Sequence, residues 1–434
     1  MGARFFIRIF HLMGVHIFQL MGVHIFHSVI GDCWPPLHAL QGMACDLYAG
    51  CVKYDFDQTV ERRYTDSIKW ALYPPDVIPL WVADMDFVSA DPIIQALNNR
   101  AKHRVFGYNR PPQALALALQ SRMQQLYGWE ISGRDLEFLP GIVTGINIAI
   151  QAYTSPGESV LAQPPVYFHF LRDPVHHGRL LQDPPLVRNG DTYEIDFDLF
   201  ERAITDNTKL FILCNPHNPV GRVYTRAELE TLADICLRHS LIICSDEIHC
   251  DLVFPPYKHI PIATLSPEVE AQTVTLMAPS KTYNIAGLEC GYALIKNQKL
   301  RNRWKEYSYG IIPHGNIMGF VAALAALQDG QEWLDQVVEY LLGNRDFLLK
   351  YLSENIPLIR ACEIEATYLA WLDCTDLGLG ENPSRFFLDK ACVAMSDGEE
   401  FGKGGKNFVR LNFACPKIRL NEALDRMKNA LKNG

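Results

Sequence analysis

Two short apolar runs, separated by one helical pattern, constrain this chain more than any other feature. "KLFILCNPHNPVG" (209–221) and "LIICSDEIHCDLVF" (241–254) each hold a run of apolar residues that ends in turn or polar residues. "RAELETLADICLRH" (226–239) lies between them and carries its apolar residues at amphipathic helical spacing. "GESVLAQPPVY" (157–167) is a third run of the same kind. Strands alternating with helices make parallel βαβ units, so the fold expected is a layered α/β domain around a mostly parallel sheet. In such sheets ligands sit at the carboxyl ends of the strands. The polar residues that end these runs are therefore the candidates for chemistry.

The pattern changes after about residue 325. A long helical stretch (333–355) leads into "TYLAWLD" (367–373), which reads as a strand of period-two character. A helix and then "NFVRLNFAC" (407–415) follow. This is the pattern of a smaller α+β region. The expected organisation is a large domain over 91–325 and a small C-terminal domain over 326–434. A segment over 53–90 is expected to pack with the small domain. "VIPLWVADMDF" (77–87) in that segment is extended and apolar, and Asp91 after it reads as an N-cap with Pro92 opening a helix.

The first 52 residues differ from the rest. "LMGVHIF" occurs at Leu12 and again at Leu20, and His11, His16, His24 and His27 interrupt any clean apolar span. This segment is read as a non-core extension, with Met43 as an alternative start. Composition narrows the function classes. A net charge of −9 with no basic stripe argues against nucleic-acid binding. Twelve scattered cysteines without a CxxC pair argue against a metal site or a disulfide framework, and for a reducing cytoplasm. No membrane association is expected.

The strand-end residues form an ordered set. Asn218 lies in a turn built from two Asn-Pro pairs, which would present a fixed amide; on its own it reads equally well as a structural turn. Asp246 follows a buried apolar run, and a buried acid needs a cation or a protonated ring nitrogen. Taken singly, Asp246 fits a local cap or ion pair better. Lys281, in "MAPSKTYNIAGLEC" (277–290), is either a surface charge or a desolvated amine suited to Schiff-base chemistry. Asn, Asp and Lys on successive strand ends together favour the second reading. An aldehyde cofactor such as pyridoxal phosphate would use Asp246 at its pyridine nitrogen and Asn218 at its ring oxygen. Tyr167 could stack on that ring, or be a core aromatic. "PGIVTGIN" (140–147) is a turn entering a helix whose N–H groups could receive a phosphate. Arg410 is a cation inside an apolar strand. It suits a clamp on a substrate carboxylate, or a structural ion pair.

The series "PGIVTGIN", "PPVYF", "NPHNPVG", "SDEIH", "SKTYNIAGL", "FVRLNFACP" resembles fold-type-I pyridoxal-phosphate enzymes of the class I/II aminotransferase family. Within that family, "LWVADMDF", "FGYNR", "APSKTYNIAGL" and "TYLAWLD" are similar to the MalY/PatB group of cystathionine β-lyases and C–S lyases. The resemblance spans about residues 53–434. It implies that Lys281 is the Schiff-base lysine, Asp246 the pyridine-nitrogen partner, Asn218 the ring-oxygen ligand, Tyr167 the stacking aromatic and Arg410 the substrate-carboxylate arginine. Ser280 and the backbone of Ile142 and Val143 would hold the phosphate. His249 stands where many aminotransferases have tyrosine. Tyr108 matches a tyrosine that reaches the phosphate of a neighbouring subunit, which implies a homodimer with shared sites. Glu289 stands where most aminotransferases place a phosphate-binding arginine, so it is expected to point away from the phosphate or to bind a cation of its own. The implied activity is C–S β-elimination on cystathionine or a related cysteine S-conjugate. An aminotransferase using the same lysine, and a regulatory binding protein on the same fold, are the alternatives.

Overall fold

The structure is a computed structural model that describes residues 54–313 and 315–433. The histidine-bearing repeat and the extension assigned to 1–52 lie outside the described residues. Residues from Tyr54 onward form one compact unit.

Its centre is a seven-stranded sheet. The strands are β1 (Leu136–Leu139), β2 (Ser159–Leu161), β3 (Leu180–Gln182), β4 (Thr208–Cys214), β5 (Ile242–Asp246), β6 (Thr273–Met277) and β7 (Gly291–Leu294). Their spatial order is β1-β7-β6-β5-β4-β2-β3. Pairings from β3 across to β6 are parallel, and β7 runs antiparallel to both its neighbours. The register places Cys214 opposite Asp246 and Asp246 opposite Leu276, so three successive strands finish side by side. The helix α1 (Ile142–Tyr153) packs directly on this sheet. A side chain at Gly145 would come within 2.9 Å of Leu139 Cδ1 and 3.1 Å of Leu276 Cδ2, so glycine is what lets the helix lie this close. Between β4 and β5 the helix α2 (Arg226–Arg238) is opened by a capping box of Thr225 and Glu228, a device worth about 1 kcal/mol. It buries Leu229, Leu232, Ala233, Ile235 and Cys236.

The C-terminal region holds a four-stranded antiparallel sheet of β8 (Arg360–Ala361), β9 (Leu369–Asp373), β10 (Ser396–Asp397) and β11 (Phe408–Asn412), in the order β8-β9-β11-β10. The long helix α3 (Gln331–Asn355) packs there with Leu341 and Leu348 in the same core as Val409 and Leu411. The segment around 78–87 is stitched onto this region. Ile78–Pro79 pairs in parallel with Val393–Ala394, Asn412 N–H donates to Leu80 O at 2.8 Å, and Asp86 N–H donates to Ala414 O at 2.9 Å.

Two local expectations are corrected. Asp91 is the first residue of its helix (Asp91–Lys102) rather than the cap, which is Ala90, and no side chain caps that end. Its charge still lies in the first turn, where the helix dipole favours an acid. β9 does not alternate between buried and exposed faces: all five residues are buried. Leu369, Ala370 and Leu372 pack into the C-terminal core, while Trp371 packs with Tyr193, Phe211 and Phe401 of a second cluster. A strand between two cores has no water-facing side.

Candidate active site

The site lies where β4, β5 and β6 end. Asn218 sits four residues beyond β4, in a turn with both Asn-Pro bonds cis. That turn is held by His217, whose ring contacts Pro165 O and Tyr224 Oη, each at 2.9 Å. The Asn218 Oδ1 accepts a hydrogen bond from Arg410 Nη1 at 3.0 Å.

Asp246 is the last residue of β5 and is buried. Its Oδ1 accepts from Ile248 N–H at 3.1 Å, and no ion pair reaches it among the described residues. Burial pushes its carboxyl up to about 7. The Ile248 N–H and the Lys281 amine pull the other way, and Glu247 adds to the rise. A buried acid short of a donor fits a protonated ring nitrogen.

Lys281 lies on a single turn, Pro279–Thr282, directly after β6. Its Nζ donates to Ala83 O at 2.6 Å. Burial pulls the amine down to about 8. Asp84 opposes this, Arg410 reinforces it, and Asp246 opposes it more weakly. Lys281 is half-buried, with its amine on a backbone carbonyl, so it is not a freely solvated surface charge. About a tenth of such an amine is neutral at pH 7, far more than for a solvated lysine, and the neutral form is what nucleophilic and proton-transfer chemistry requires.

Arg410, on β11, is buried with no carboxylate partner among the described residues. Besides Asn218 it donates to Trp81 O at 2.9 Å and Ser396 Oγ at 3.2 Å, and its Nε has no partner. The ring of Phe401 lies 4.9 Å from the guanidinium carbon. Burial pulls the guanidinium down to about 10. A desolvated cation with a spare donor is a ready anion site, which favours the substrate-carboxylate role over a structural ion pair. His249 is buried, and its Nδ1 has no partner among the described residues. Burial, with Lys281 and Arg410 nearby, holds its imidazole down at about 3, so the ring is neutral. Tyr167 is half-buried, and its hydroxyl is pushed up to about 12 mainly by burial.

Ile142 and Val143 open α1, and N–H groups in a first helical turn have no intrahelical acceptor. A Cβ built on Gly291 would lie 3.5 Å from both Ile142 Cδ1 and Ala278 Cβ, which places the helix start beside the approach to Lys281. Ser280 precedes the lysine directly. Glu289 is exposed, with left-handed backbone at φ 54°. Tyr108 is 98% exposed, so its side chain lies on the outer surface of this chain.

Several residues around the site carry no strong signal in sequence. Backbone carbonyls of the 81–84 segment hold both cations: Trp81 O accepts from Arg410, and Ala83 O accepts from Lys281 and from Tyr368 Oη at 2.9 Å. That segment is anchored by Asp84 and Asp86, which pair with Arg62 at 2.6 and 2.7 Å, and by the fully buried Lys69, 3.1 Å from Asp86. The only available hint was acidic residues ending the apolar run 77–87.

A family model described as aminotransferase class I and II matches residues 75–427. The chain belongs to that family. Asn218, Asp246 and Lys281 follow the ends of three neighbouring strands within the matched residues. The chain is 38% identical to cystathionine beta-lyase PatB of Bacillus subtilis (strain 168), over 87% of this chain and all of the relative. Among solved structures, that of OvoB superposes with a TM-score of 0.84 at 43% identity, over 88% of this chain and all of that one. Cystalysin from Treponema denticola, whose structure contains pyridoxal 5'-phosphate, superposes with a TM-score of 0.85 at 31% identity, over 88% of this chain and all of that one. The fold of this family member is thus the expected α/β transferase. The underpaired Asp246, the lowered Lys281 amine and the free first turn of α1 suit such a cofactor's ring nitrogen, aldehyde and phosphate in turn.

Proposed function

We propose that this chain is a pyridoxal-phosphate-dependent C–S β-lyase that converts cystathionine or related cysteine S-conjugates, with water, to a thiol, pyruvate and ammonia. The observation that carries this is the convergence of Lys281, Asp246 and Asn218 with the buried guanidinium of Arg410, which has no carboxylate partner among the described residues. The resemblance to the cystathionine beta-lyase PatB supports elimination over amino transfer. When bound, pyridoxal phosphate supplies an electron sink for the substrate α-carbon.

The chain's residues do the rest. Arg410 binds and orients the substrate carboxylate. Lys281 would take the α-proton. Asp246 would hold a proton at the pyridine nitrogen of the cofactor, and Asn218 would donate its amide to the ring oxygen. Tyr167 would stack on the ring. His249, kept neutral, would add no charge next to Lys281. Ile142 and Val143 N–H groups and the Ser280 hydroxyl would receive the phosphate, while the exposed Glu289 would stay in solvent. Tyr108, on the outer surface, would reach the phosphate of a second copy in a homodimer with shared sites. The 91–325 portion would act as a cofactor domain, and 326–434 with the 53–90 segment as a smaller domain carrying Arg410. A cytoplasmic setting fits nine cysteines that are all free among the described residues.

The purified protein should show a visible absorbance band from bound cofactor. Lys281→Ala should lose that band or bind the cofactor without covalent attachment. A wild-type protein that stays colourless after incubation with pyridoxal phosphate would remove the basis of this reading.

A further inference from the structure

Lys281 stands on a helical turn of only four residues, which has little stability of its own. Something else must fix the direction of its side chain. On one side Asn284 ties the turn to the 85–87 segment: its amide donates to Met85 O and Phe87 O, each at 3.0 Å, and its Oδ1 accepts from Met85 N–H at 3.0 Å. On the other side the fully buried Thr282 donates its hydroxyl to Asp251 Oδ2 at 2.9 Å. The second oxygen of Asp251 is taken by Arg122 Nη2 at 2.5 Å. Arg122 comes from the helix Gln113–Tyr127, and its Nη1 reaches Gln331 at 3.4 Å. Asp251 also lies two residues beyond His249, in a turn where Leu252 N–H donates to His249 O at 2.9 Å.

We infer that Asp251, oriented by Arg122, is a positioning residue of the active site: through Thr282 it fixes where Lys281 points, with the Arg122 bond setting the carboxylate that receives the Thr282 hydroxyl. Arg122 and Thr282 approach the two carboxylate oxygens from different elements, so the carboxylate is held from both sides. Without the Thr282 bond the lysine's turn is pinned on one side only and the amine samples a wider arc. Proton transfer is sensitive to such displacement, since a misplacement of about 1 Å costs up to about 100-fold.

The inference rests on Lys281 being the reacting amine, so its test includes an arm that needs no lyase turnover. Thr282→Val keeps the side-chain shape and removes the donor, and Thr282→Ser keeps the hydroxyl. The rate at which pyridoxal phosphate with borohydride modifies Lys281 in the cofactor-free protein is read by mass spectrometry. Thr282→Val should slow it about tenfold and Thr282→Ser should restore it. In steady state, Thr282→Val should lower kcat by about 10- to 100-fold with KM for L-cystathionine within about twofold. Asp251→Asn, with its melting temperature recorded, should slow labelling in the same way at temperatures where it is folded. Labelling of Thr282→Val and of folded Asp251→Asn at the wild-type rate, even with lowered melting temperatures, overturns the inference and leaves the Arg122–Asp251 pair as a fold brace only. Slow labelling in a protein without lyase activity upholds the inference and rejects the proposed reaction instead.

Discussion

Replacing Arg410 with methionine removes a buried guanidinium that has hydrogen-bond acceptors but, among the described residues, no carboxylate. Its displacement from the ordinary value to about 10 corresponds to about 3 kcal/mol of cost for holding the charge there at neutral pH, at roughly 1.4 kcal/mol per unit. Methionine, of similar length, relieves that cost. It also leaves Asn218 Oδ1, Trp81 O and Ser396 Oγ each short of a donor, at about 1 kcal/mol apiece. The two effects offset, so the urea midpoint of the cofactor-free variant should correspond to a change within about 1 kcal/mol of wild type. Catalysis should respond very differently. Two charge-assisted hydrogen bonds to a substrate carboxylate are worth about 3–6 kcal/mol, so kcat/KM for L-cystathionine should fall by about 100- to 10,000-fold. Pyruvate formation gives the rate, and urea unfolding followed by tryptophan fluorescence gives the stability. A variant that keeps kcat/KM within about tenfold, or that loses more than about 3 kcal/mol of stability, refutes the assignment and makes Arg410 a structural cation.

Three further outcomes follow from the same geometry. Burial raises the Asp246 carboxyl to about 7, above the unfolded carboxylate range, so the group contributes stability at low pH that is lost as pH rises through about 7. Asp246→Asn should therefore make the cofactor-free protein more stable than wild type at pH 8 by a few kcal/mol, with the gain vanishing near pH 4. The same substitution should lower kcat by about 100- to 1,000-fold, and equal stabilities at pH 8 would contradict the burial argument. The Lys281 amine is held at about 8, so its labelling rate in the cofactor-free protein should rise with a midpoint near pH 8; a midpoint above 10 would show a solvated amine. Mixing Tyr108→Ala with Lys281→Ala under conditions that exchange subunits should restore activity absent from either alone, and no recovery argues against shared sites.

The neighbourhood of the candidate residues could be read in advance because the sequence places them where strands end. The runs 209–214 and 241–246 are so apolar that Asn218, Asp246 and then Lys281 stood out as polar residues at the same edge, and the register Cys214–Asp246–Leu276 brings them together. Tyr167 was legible for the same reason. The misses are long-range. Ala83 O and Trp81 O act through backbone carbonyls, which no side-chain pattern announces. Lys69 and Asp86 form a buried pair 17 positions apart, and Asp251 meets Arg122 across 129 positions. Such contacts follow from packing, not from local periodicity. The alternation expected in 367–373 failed because period two marks a strand with one wet face, and β9 has cores on both sides.

The most direct test of the central claim is product stoichiometry with L-cystathionine and no added 2-oxoacid. The account predicts sustained turnover with equal amounts of thiol, pyruvate and ammonia, abolished in Lys281→Ala. Thiol release that stays at background, with turnover appearing only when a 2-oxoacid is supplied as amino acceptor, would contradict it and identify the chain as an aminotransferase.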